Sequence, residues 1–150
     1  MEWEIYELEK SADGLEYSFY SEGPRGRIRK VIRFQWIREL GSNTFNLAFG
    51  DLIEGSGQLN DRSISNNQDR LKVLRTVAMA AANFLKDRRM AIIWIVPNSL
   101  VRARLYQMMI SSIWTAIKED YEVQGKHRPY WNHFVKGLNY TEFIVYKKIK

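Results

Sequence analysis

The chain lacks cysteine altogether, which excludes several kinds of chemistry at once. Without a thiol there can be no disulfide framework, no thiolate metal site and no cysteine nucleophile. Long apolar runs are also missing: the longest, residues 90–96, is far shorter than the roughly 20 residues that a membrane-spanning helix needs. The first residues are acidic and do not resemble a signal peptide. We therefore expect a cytoplasmic protein without membrane association.

Histidine is the other scarce residue, since the chain contains only His127 and His133. They lie six residues apart, and no further ligand stands at a metal-binding spacing from either of them. No metal site and no cofactor are predicted. Without the fold, no arrangement for nucleophilic or acid–base catalysis is readable around the two imidazoles, so whether the protein is an enzyme stays open.

The residues that are present indicate an ordinary folded domain. Hydrophobic residues make up 45% of the chain and charged residues 27%, which is close to the average composition of globular proteins. No internal repeat and no linker rich in glycine, proline or serine divides the sequence. A single α+β domain over residues 1–150 is therefore predicted.

The hydrophobic pattern predicts the order strand, strand, strand, helix, strand, helix, strand. Strands are predicted over residues 15–20, 26–36 and 44–50, where apolar and polar residues alternate. A capping box, Ser65 to Gln68, predicts the start of a helix that runs to about Lys86.

The second half of the chain continues this pattern. The apolar run at residues 90–96 predicts a central strand of a mostly antiparallel, twisted sheet. Asn98 or Ser99 is expected to cap a second long amphipathic helix that reaches about Asp120, and residues 140–146 predict the last strand. We expect both helices to lie on the same side of the sheet.

The charges are distributed unevenly along the first 38 residues. The first 22 carry seven acidic residues and one lysine, whereas residues 23–38 carry six basic residues and no acid. One interpretation is that neighbouring strands form cross-strand ion pairs. The other is an anion-binding face, in which Arg27, Arg29 and Arg33 contact nucleic acid phosphates.

The starts of the two helices are the best candidates for a ligand site, because the exposed amides of a helix start attract anions. We hypothesise one anion-binding pocket at the end of the central strand, formed by Asn67, Arg102 and Arg104 with Asp51 and Tyr106 nearby. In the competing interpretation the asparagine belongs to a cap or a turn, and Arg102 forms a structural ion pair with an aspartate such as Asp51.

Several short motifs resemble an uncharacterised family of short bacterial proteins, a domain of unknown function. The motifs are Gly23-Pro24-Arg25-Gly26, Phe45-Asn46-Leu47-Ala48-Phe49-Gly50-Asp51, Asn66-Asn67-Gln68-Asp69, Val73-Leu74-Arg75-Thr76-Val77, Arg102-Ala103-Arg104-Leu105-Tyr106-Gln107 and Gly137-Leu138-Asn139-Tyr140-Thr141-Glu142-Phe143. The resemblance extends over most of the chain. The resemblance implies no activity, since none is established for that family.

The element order shows a weaker resemblance to the later part of acyl-coenzyme A N-acyltransferase folds. Leu105-Tyr106 is similar to a position in the last helix of those folds that carries a tyrosine. The glycine-rich pyrophosphate turn of those folds has no counterpart before the first helix, where Asn66-Asn67-Gln68-Asp69-Arg70 stands.

Two functional hypotheses follow. The favoured one is a small binding protein that recognises an anionic partner, whether nucleic acid, nucleotide or protein, in a setting such as a toxin–antitoxin or phage-defence module. A homodimer is compatible with it. The alternative is a divergent acyltransferase-like or nucleotide-processing enzyme whose pocket lies at the two helix starts. Fold analogy alone does not decide between them.

Overall fold

A computed structural model describes residues 4–41, 43–53, 55–60, 67–127 and 129–149. These residues form an α+β fold with two long helices, α1 (Arg70–Asp87) and α2 (Leu100–Ile117), and a short 3₁₀ helix, Arg38–Leu40. The strands are β1 (Glu9–Lys10), β2 (Glu16–Gly23), β3 (Gly26–Trp36), β4 (Thr44–Leu52), β5 (Leu59–Asn60), β6 (Ile92–Ile95), β7 (Tyr121–His127), β8 (Tyr130–His133) and β9 (Phe143–Lys147).

The described strands form one nine-stranded sheet with the order β1-β2-β3-β4-β6-β9-β7-β8, and β5 pairs with β4 beside this path. All neighbours run antiparallel except β4 and β6, which pair in parallel. A parallel pair needs a crossover connection, and α1 supplies it. The apolar run at residues 90–96 thus contains an interior strand, as predicted, although the strand itself is confined to Ile92–Ile95.

The hairpin of β2 and β3 turns tightly at Pro24-Arg25, because Gly23 and Gly26 are directly opposite each other. Gly26 has a φ of 88°, a backbone conformation that glycine adopts without steric cost. The second strand of the hairpin has the predicted bounds, whereas the first continues to Gly23.

Both helices pack on the same face of the sheet, as expected. Phe84 of α1 stacks on Phe34 with ring centroids 4.0 Å apart and meets Phe45 edge-on at 5.1 Å. From α2, Ile110 and Ile113 are buried in the same hydrophobic cluster. On the covered face Ile32 and Phe34 of β3 and Leu47 of β4 are buried, whereas Arg33 and Ala48 on the opposite face are partly exposed.

The first helix begins later than predicted. Gln68 has a φ of 59°, which is incompatible with a right-handed helix, and Asp69 occupies the N-cap position of α1 without a capping hydrogen bond from its side chain. The predicted capping box is therefore wrong at Gln68, and Ser65 lies outside the described residues. The second helix agrees with the prediction, because the Ser99 hydroxyl accepts a hydrogen bond of 3.1 Å from the backbone amide of Arg102.

The sequence pattern does not predict the short strands β1, β5 and β8, and it indicates β7 only over residues 121–123. Strand β8 mixes aromatic and polar residues without a repeating pattern, so its sequence gives no strand signal. Its pairing with β7 places Trp131 opposite Lys126 and His133 opposite Gln124. Among the described residues, no helix combines the length and the apolar character that crossing a membrane requires.

We expect Phe84→Ala to lower the free energy of unfolding by about 3–5 kcal/mol, because it removes a fully buried ring that contacts two others and leaves a cavity. Chemical denaturation followed by circular dichroism measures this change. Leu71→Ala on the same helix is the control, since that side chain is 46% exposed and alanine favours the helix. Equal losses of stability for both variants would contradict the described packing of α1.

Candidate ligand-binding cleft

A cleft opens where β4 and β6 diverge. The two strands pair only through residues 44–46 and 92–94, and β4 then continues to Leu52 while the chain leaves the sheet after Ile95. Pro97 supports this exit, because it has no amide hydrogen to donate to a continuing strand. The resulting cleft has a volume of about 60 Å³ and is lined by Asn46, Leu47, Ala48, Phe49, Val96, Pro97, Asn98, Arg102 and Tyr106.

Arg102 crosses the inner part of this cleft. Its side chain, anchored one turn inside α2, donates a hydrogen bond from Nη2 to the backbone carbonyl of Phe49. The guanidinium carbon lies 5.6 Å from the centroid of the Phe49 ring and 5.9 Å from that of Tyr106. Since β6 no longer pairs with β4 at this point, Arg102 provides a donor for a strand carbonyl that would otherwise be buried without one.

The charge of Arg102 has no carboxylate partner among the described residues, although the residue is only 5% exposed. The predicted ion pair with Asp51 does not form. Asp51 instead accepts a hydrogen bond of 2.5 Å from the ammonium group of Lys30 on the neighbouring strand. Asp69 is engaged elsewhere, by the hydroxyl groups of Ser21 at 2.5 Å and Tyr6 at 2.6 Å.

Asn67 lies away from the cleft and holds the β2–β3 hairpin against the start of α1. Its side-chain amide donates to the Ser21 hydroxyl (3.1 Å) and to the Gly26 carbonyl (3.0 Å), and its oxygen accepts from the Arg25 amide (2.7 Å). A side chain at Gly23 would collide with the backbone of Asn67, so the two segments can approach this closely only with glycine there. Asn67 is 2% exposed and has a structural role.

A network of hydroxyl groups extends the Asn67 contact toward the N-terminal segment. The Tyr6 phenol donates to Asp69, and the Tyr6 backbone amide donates to the Thr76 hydroxyl at 2.9 Å. Burial raises the pKa of Tyr6, and the hydrogen bond with the Asp69 carboxylate raises it further. The phenol therefore stays protonated, as a donor to Asp69 must.

Of the five residues predicted to share a pocket, the structure brings two together. Arg102 and Tyr106 line the cleft, one helical turn apart on α2. Asn67 and Asp51 are bound to other groups, and Arg104 approaches the Tyr140 carbonyl at 3.5 Å. Asn98, at the helix start that the sequence indicated as a candidate site, lines the cleft beside Arg102.

A family model described as a family of unknown function, DUF6934, matches residues 2–148, which is nearly the whole chain. The chain belongs to this family. No curated protein and no solved structure matches it. Any role for the cleft in this DUF6934 protein therefore has to be argued from its own residues.

Strand β3 of this DUF6934 protein carries the three arginines for which either cross-strand ion pairs or nucleic acid binding was expected. Two of the three form cross-strand ion pairs. Arg33 contacts Glu16 at 2.7 Å, and Arg27 contacts Glu22 at 3.6 Å, each directly opposite its partner in the sheet. Arg29 is exposed and has no acidic partner within the part of the chain that the structure describes. A role in nucleic acid binding stays a prediction for all three.

The two histidines lie at the surface near the β7–β8 hairpin. The Nδ1 atom of His133 contacts the Glu122 carboxylate, and the Nδ1 atom of His127 is 3.2 Å from the Asn139 carbonyl. Over the described ranges, no group of three or more His, Cys, Asp or Glu side chains could hold a metal ion.

We expect Asn67→Ala to lower the free energy of unfolding by about 2–3 kcal/mol, because it leaves the Arg25 amide and the Gly26 carbonyl without partners. Thermal or chemical denaturation measures the loss. Asn132→Ala, at an exposed position of β8, is the matched control and should change stability by less than about 0.5 kcal/mol. If Asn67→Ala were as stable as the control, the hairpin contact would not have the structural role assigned to it.

Arg29 and Arg33 separate the two interpretations of the basic strand. If the arginine face binds nucleic acid, Arg29→Ala should weaken binding and reduce the slope of log affinity against log salt concentration by about one. Arg33→Ala should have a smaller effect, because Glu16 already neutralises that charge. Fluorescence anisotropy with short DNA and RNA probes measures both. An absence of binding at low salt would leave the ion pairs as the explanation of this surface.

Proposed function

We propose that this DUF6934 protein binds an anionic ligand in the cleft between β4 and β6, and that Arg102 carries the charge that recognises it. The proposal rests on one observation: Arg102 is only 5% exposed, and no described carboxylate lies beside its guanidinium. It is a more specific form of the hypothesis that the protein recognises an anionic partner.

The physical argument concerns the cost of burying an uncompensated charge. A charge removed from water costs several kcal/mol unless it is paired, and buried arginines are therefore almost always found with an anion. The Phe49 carbonyl and the two aromatic rings offset part of this cost, but none of them carries a negative charge. A bound anion would supply the missing charge and occupy the remaining donors of the planar guanidinium.

The surroundings of Arg102 are favourable for an anion. Among the described residues that line the cleft there is no acidic side chain, and Asn98 and Tyr106 add polar groups. The cleft also lies at the start of α2, where the dipole of an 18-residue helix presents its positive end. Repulsion from the protein would therefore be small when an anion enters.

A second candidate is an acyltransferase-like enzyme, and Tyr106 is the observation in its favour. The residue lies in the cleft between the only parallel strands of the described sheet, at the helix position that suggested the resemblance. The start of α1 does not support this candidate, because a phosphate-binding turn would be expected there. The segment instead contains the acidic residue Asp69 and Asn67, whose side chain is hydrogen-bonded to the hairpin. Binding of coenzyme A that protects Tyr106 from chemical modification would favour the enzyme.

The cellular location, the biological context and the oligomeric state expected from the sequence are part of this proposal. A cytoplasmic location, a toxin–antitoxin or phage-defence context and a homodimer are all compatible with a ligand-binding domain of this size. The anion site proposed for the cleft does not depend on any of them.

Replacing Arg102 tests the proposal. Acetate, inorganic phosphate and adenosine monophosphate are titrated into the protein, and binding is followed by chemical shift changes of residues around the cleft. We expect Arg102→Gln to raise the dissociation constant of the bound anion at least tenfold, since a hydrogen bond to a charged group contributes about 1.5–3 kcal/mol. Glutamine is polar and uncharged, and the melting temperature of the variant verifies that it is folded.

Two further variants make this test specific. Arg102→Lys keeps the charge but loses the planar pair of donors, so binding should fall while the melting temperature changes little. Arg104→Gln is the matched control on the same helix, because it removes one positive charge outside the cleft. Full binding by a stable Arg102→Lys protein, or an equal loss in Arg104→Gln, would overturn the proposal.

A further inference from the structure

We infer that the partner of the cleft is the C-terminus of an extended polypeptide, whose terminal carboxylate contacts Arg102 while its backbone pairs with the edge of β4 that β6 leaves unpaired. This inference rests on the proposed function, since it assumes that Arg102 binds the anion, and it adds the class of partner. It follows from the backbone groups of β4 that face the cleft and from the position of Arg102 beside them.

Alternate residues of β4 direct their backbone groups toward the cleft, because successive residues of a strand face opposite neighbours. The Thr44 carbonyl accepts a hydrogen bond from the segment that follows β3, whereas the Asn43 carbonyl accepts one of 2.8 Å from the amide of Ile92, at the start of β6. Odd-numbered residues of β4 therefore face the side of β6. The backbone groups of Leu47 and Phe49 consequently point into the cleft.

Two of these backbone groups have no strand beside them in the part of the chain that the structure describes. The parallel pairing ends with Asn46 beside Trp94, and on the same edge β5 pairs only from Asp51 onward. The carbonyl of Leu47 and the amide of Phe49 lie between these two pairings. Unpaired backbone groups at a strand edge are a template for an added strand, and several protein domains recognise extended peptides in this way.

The position of Arg102 favours a peptide that ends in the cleft over one that continues through it. In parallel orientation, the penultimate residue of the peptide lies beside Ala48, donates its amide to the Leu47 carbonyl and accepts from the Phe49 amide, the pattern by which β6 pairs two residues earlier. A continuing strand would next place an amide at the Phe49 carbonyl, where Arg102 already donates. A peptide that ends there brings its carboxylate to the guanidinium instead, and the buried charge is compensated.

The cleft is accessible from the face of the sheet that the helices leave uncovered. Leu47 and Phe49 are buried in the core beneath the helices, so the alternate residues Asn46 and Ala48, which line the cleft, lie on the opposite face and are partly exposed. The residues that precede the last two of a bound peptide can leave along this face. Since no acidic side chain lines the cleft among the described residues, the carboxylate meets no repulsion.

Five probes test the inference: acetate, N-acetyl-dialanine, its C-terminal amide, its analogue methylated at the penultimate amide nitrogen, and dialanine with a free amino group. Binding is measured by isothermal calorimetry or by chemical shift changes. We expect N-acetyl-dialanine to bind about tenfold more tightly than acetate, because it adds two backbone hydrogen bonds. Conversion of its carboxylate to an amide should weaken binding about tenfold, and methylation of the donor nitrogen about threefold.

Arg102→Gln tests the contact proposed for the carboxylate. In this variant N-acetyl-dialanine and its C-terminal amide should bind with nearly equal affinity, because the charge that distinguishes them is gone. Arg104→Gln, the matched control, should retain the difference of about tenfold. A comparison of two ligands on the same variant is insensitive to a general loss of stability, and the melting temperature verifies that each variant is folded.

The backbone amide of Phe49 reports the strand pairing in the unmodified protein. Saturation with N-acetyl-dialanine should slow its hydrogen exchange about threefold, whereas saturation with acetate should leave the exchange nearly unchanged. The amide of Ala48 is the matched control on the same strand, because it faces β3, where Ala48 is already paired with Arg33. Equal protection of both amides would indicate a general stabilisation and would contradict the added strand.

The outcomes separate this inference from the proposal on which it depends. If acetate binds and requires Arg102, but N-acetyl-dialanine binds no more tightly or no better than its C-terminal amide, the inference is overturned and the proposed function stands. Equal binding of dialanine with a free amino group would assign the cleft to free dipeptides and overturn the inference as well. If no probe binds, or if Arg102→Gln binds acetate and N-acetyl-dialanine unchanged, the proposed function fails together with the inference. Binding that requires the carboxylate, Arg102 and the penultimate amide, with protection of Phe49, supports both.

Discussion

The candidate site depends on one geometric constraint, the unequal lengths of two neighbouring strands. Strand β6 ends at Ile95 while β4 continues to Leu52, so part of the β4 backbone has no strand beside it on that side. A buried backbone carbonyl needs a donor, and the guanidinium of Arg102 provides it at Phe49. Meeting this requirement brings a permanent positive charge into the interior, and the cleft, its polarity and its proposed ligand all follow from that charge.

The general architecture was accessible from the sequence because it depends on repeating patterns. Alternation in residues 26–36 and the apolar run at residues 90–96 predicted two strands at nearly the observed positions, and the helix cap at Ser99 follows from the chemistry of its hydroxyl. Such features involve neighbours in the sequence. These features depend little on the rest of the chain, so rules based on local sequence patterns predict them.

The composition of the site was less accessible, because each of its contacts joins residues that are distant in the sequence. From the sequence alone, Arg102 could contact a carboxylate, a backbone carbonyl or a bound anion. The position at which β6 ends determines the contact, because the Phe49 carbonyl then lies within reach of the guanidinium. Asn67 shows the same ambiguity: an asparagine near a helix start can bind a ligand or a backbone turn, and it binds the hairpin formed more than 40 residues earlier. Gln68, the next residue, has a positive φ that the sequence pattern does not predict.

The buried polar groups near the helix starts fall into two classes. Asn67, Asp69 and Ser21 satisfy one another, so their network is complete without any other molecule. Arg102 has its hydrogen bond and its aromatic neighbours, but among the residues that the structure describes it has no counter-charge. This difference, rather than the position of either group at a helix start, makes the cleft the stronger candidate for recognition.

The single parallel pair has a consequence for how the site comes into existence during folding. The β2–β3 hairpin joins residues that are close in the sequence and can form early, whereas Thr44 meets Ile92 only after the whole of α1 has crossed the sheet. The cleft borders this late contact, so a partly folded chain that contains the hairpin and both helices would still lack it. A ligand of the proposed kind would therefore stabilise the pairing of β4 with β6 as well as fill the cleft.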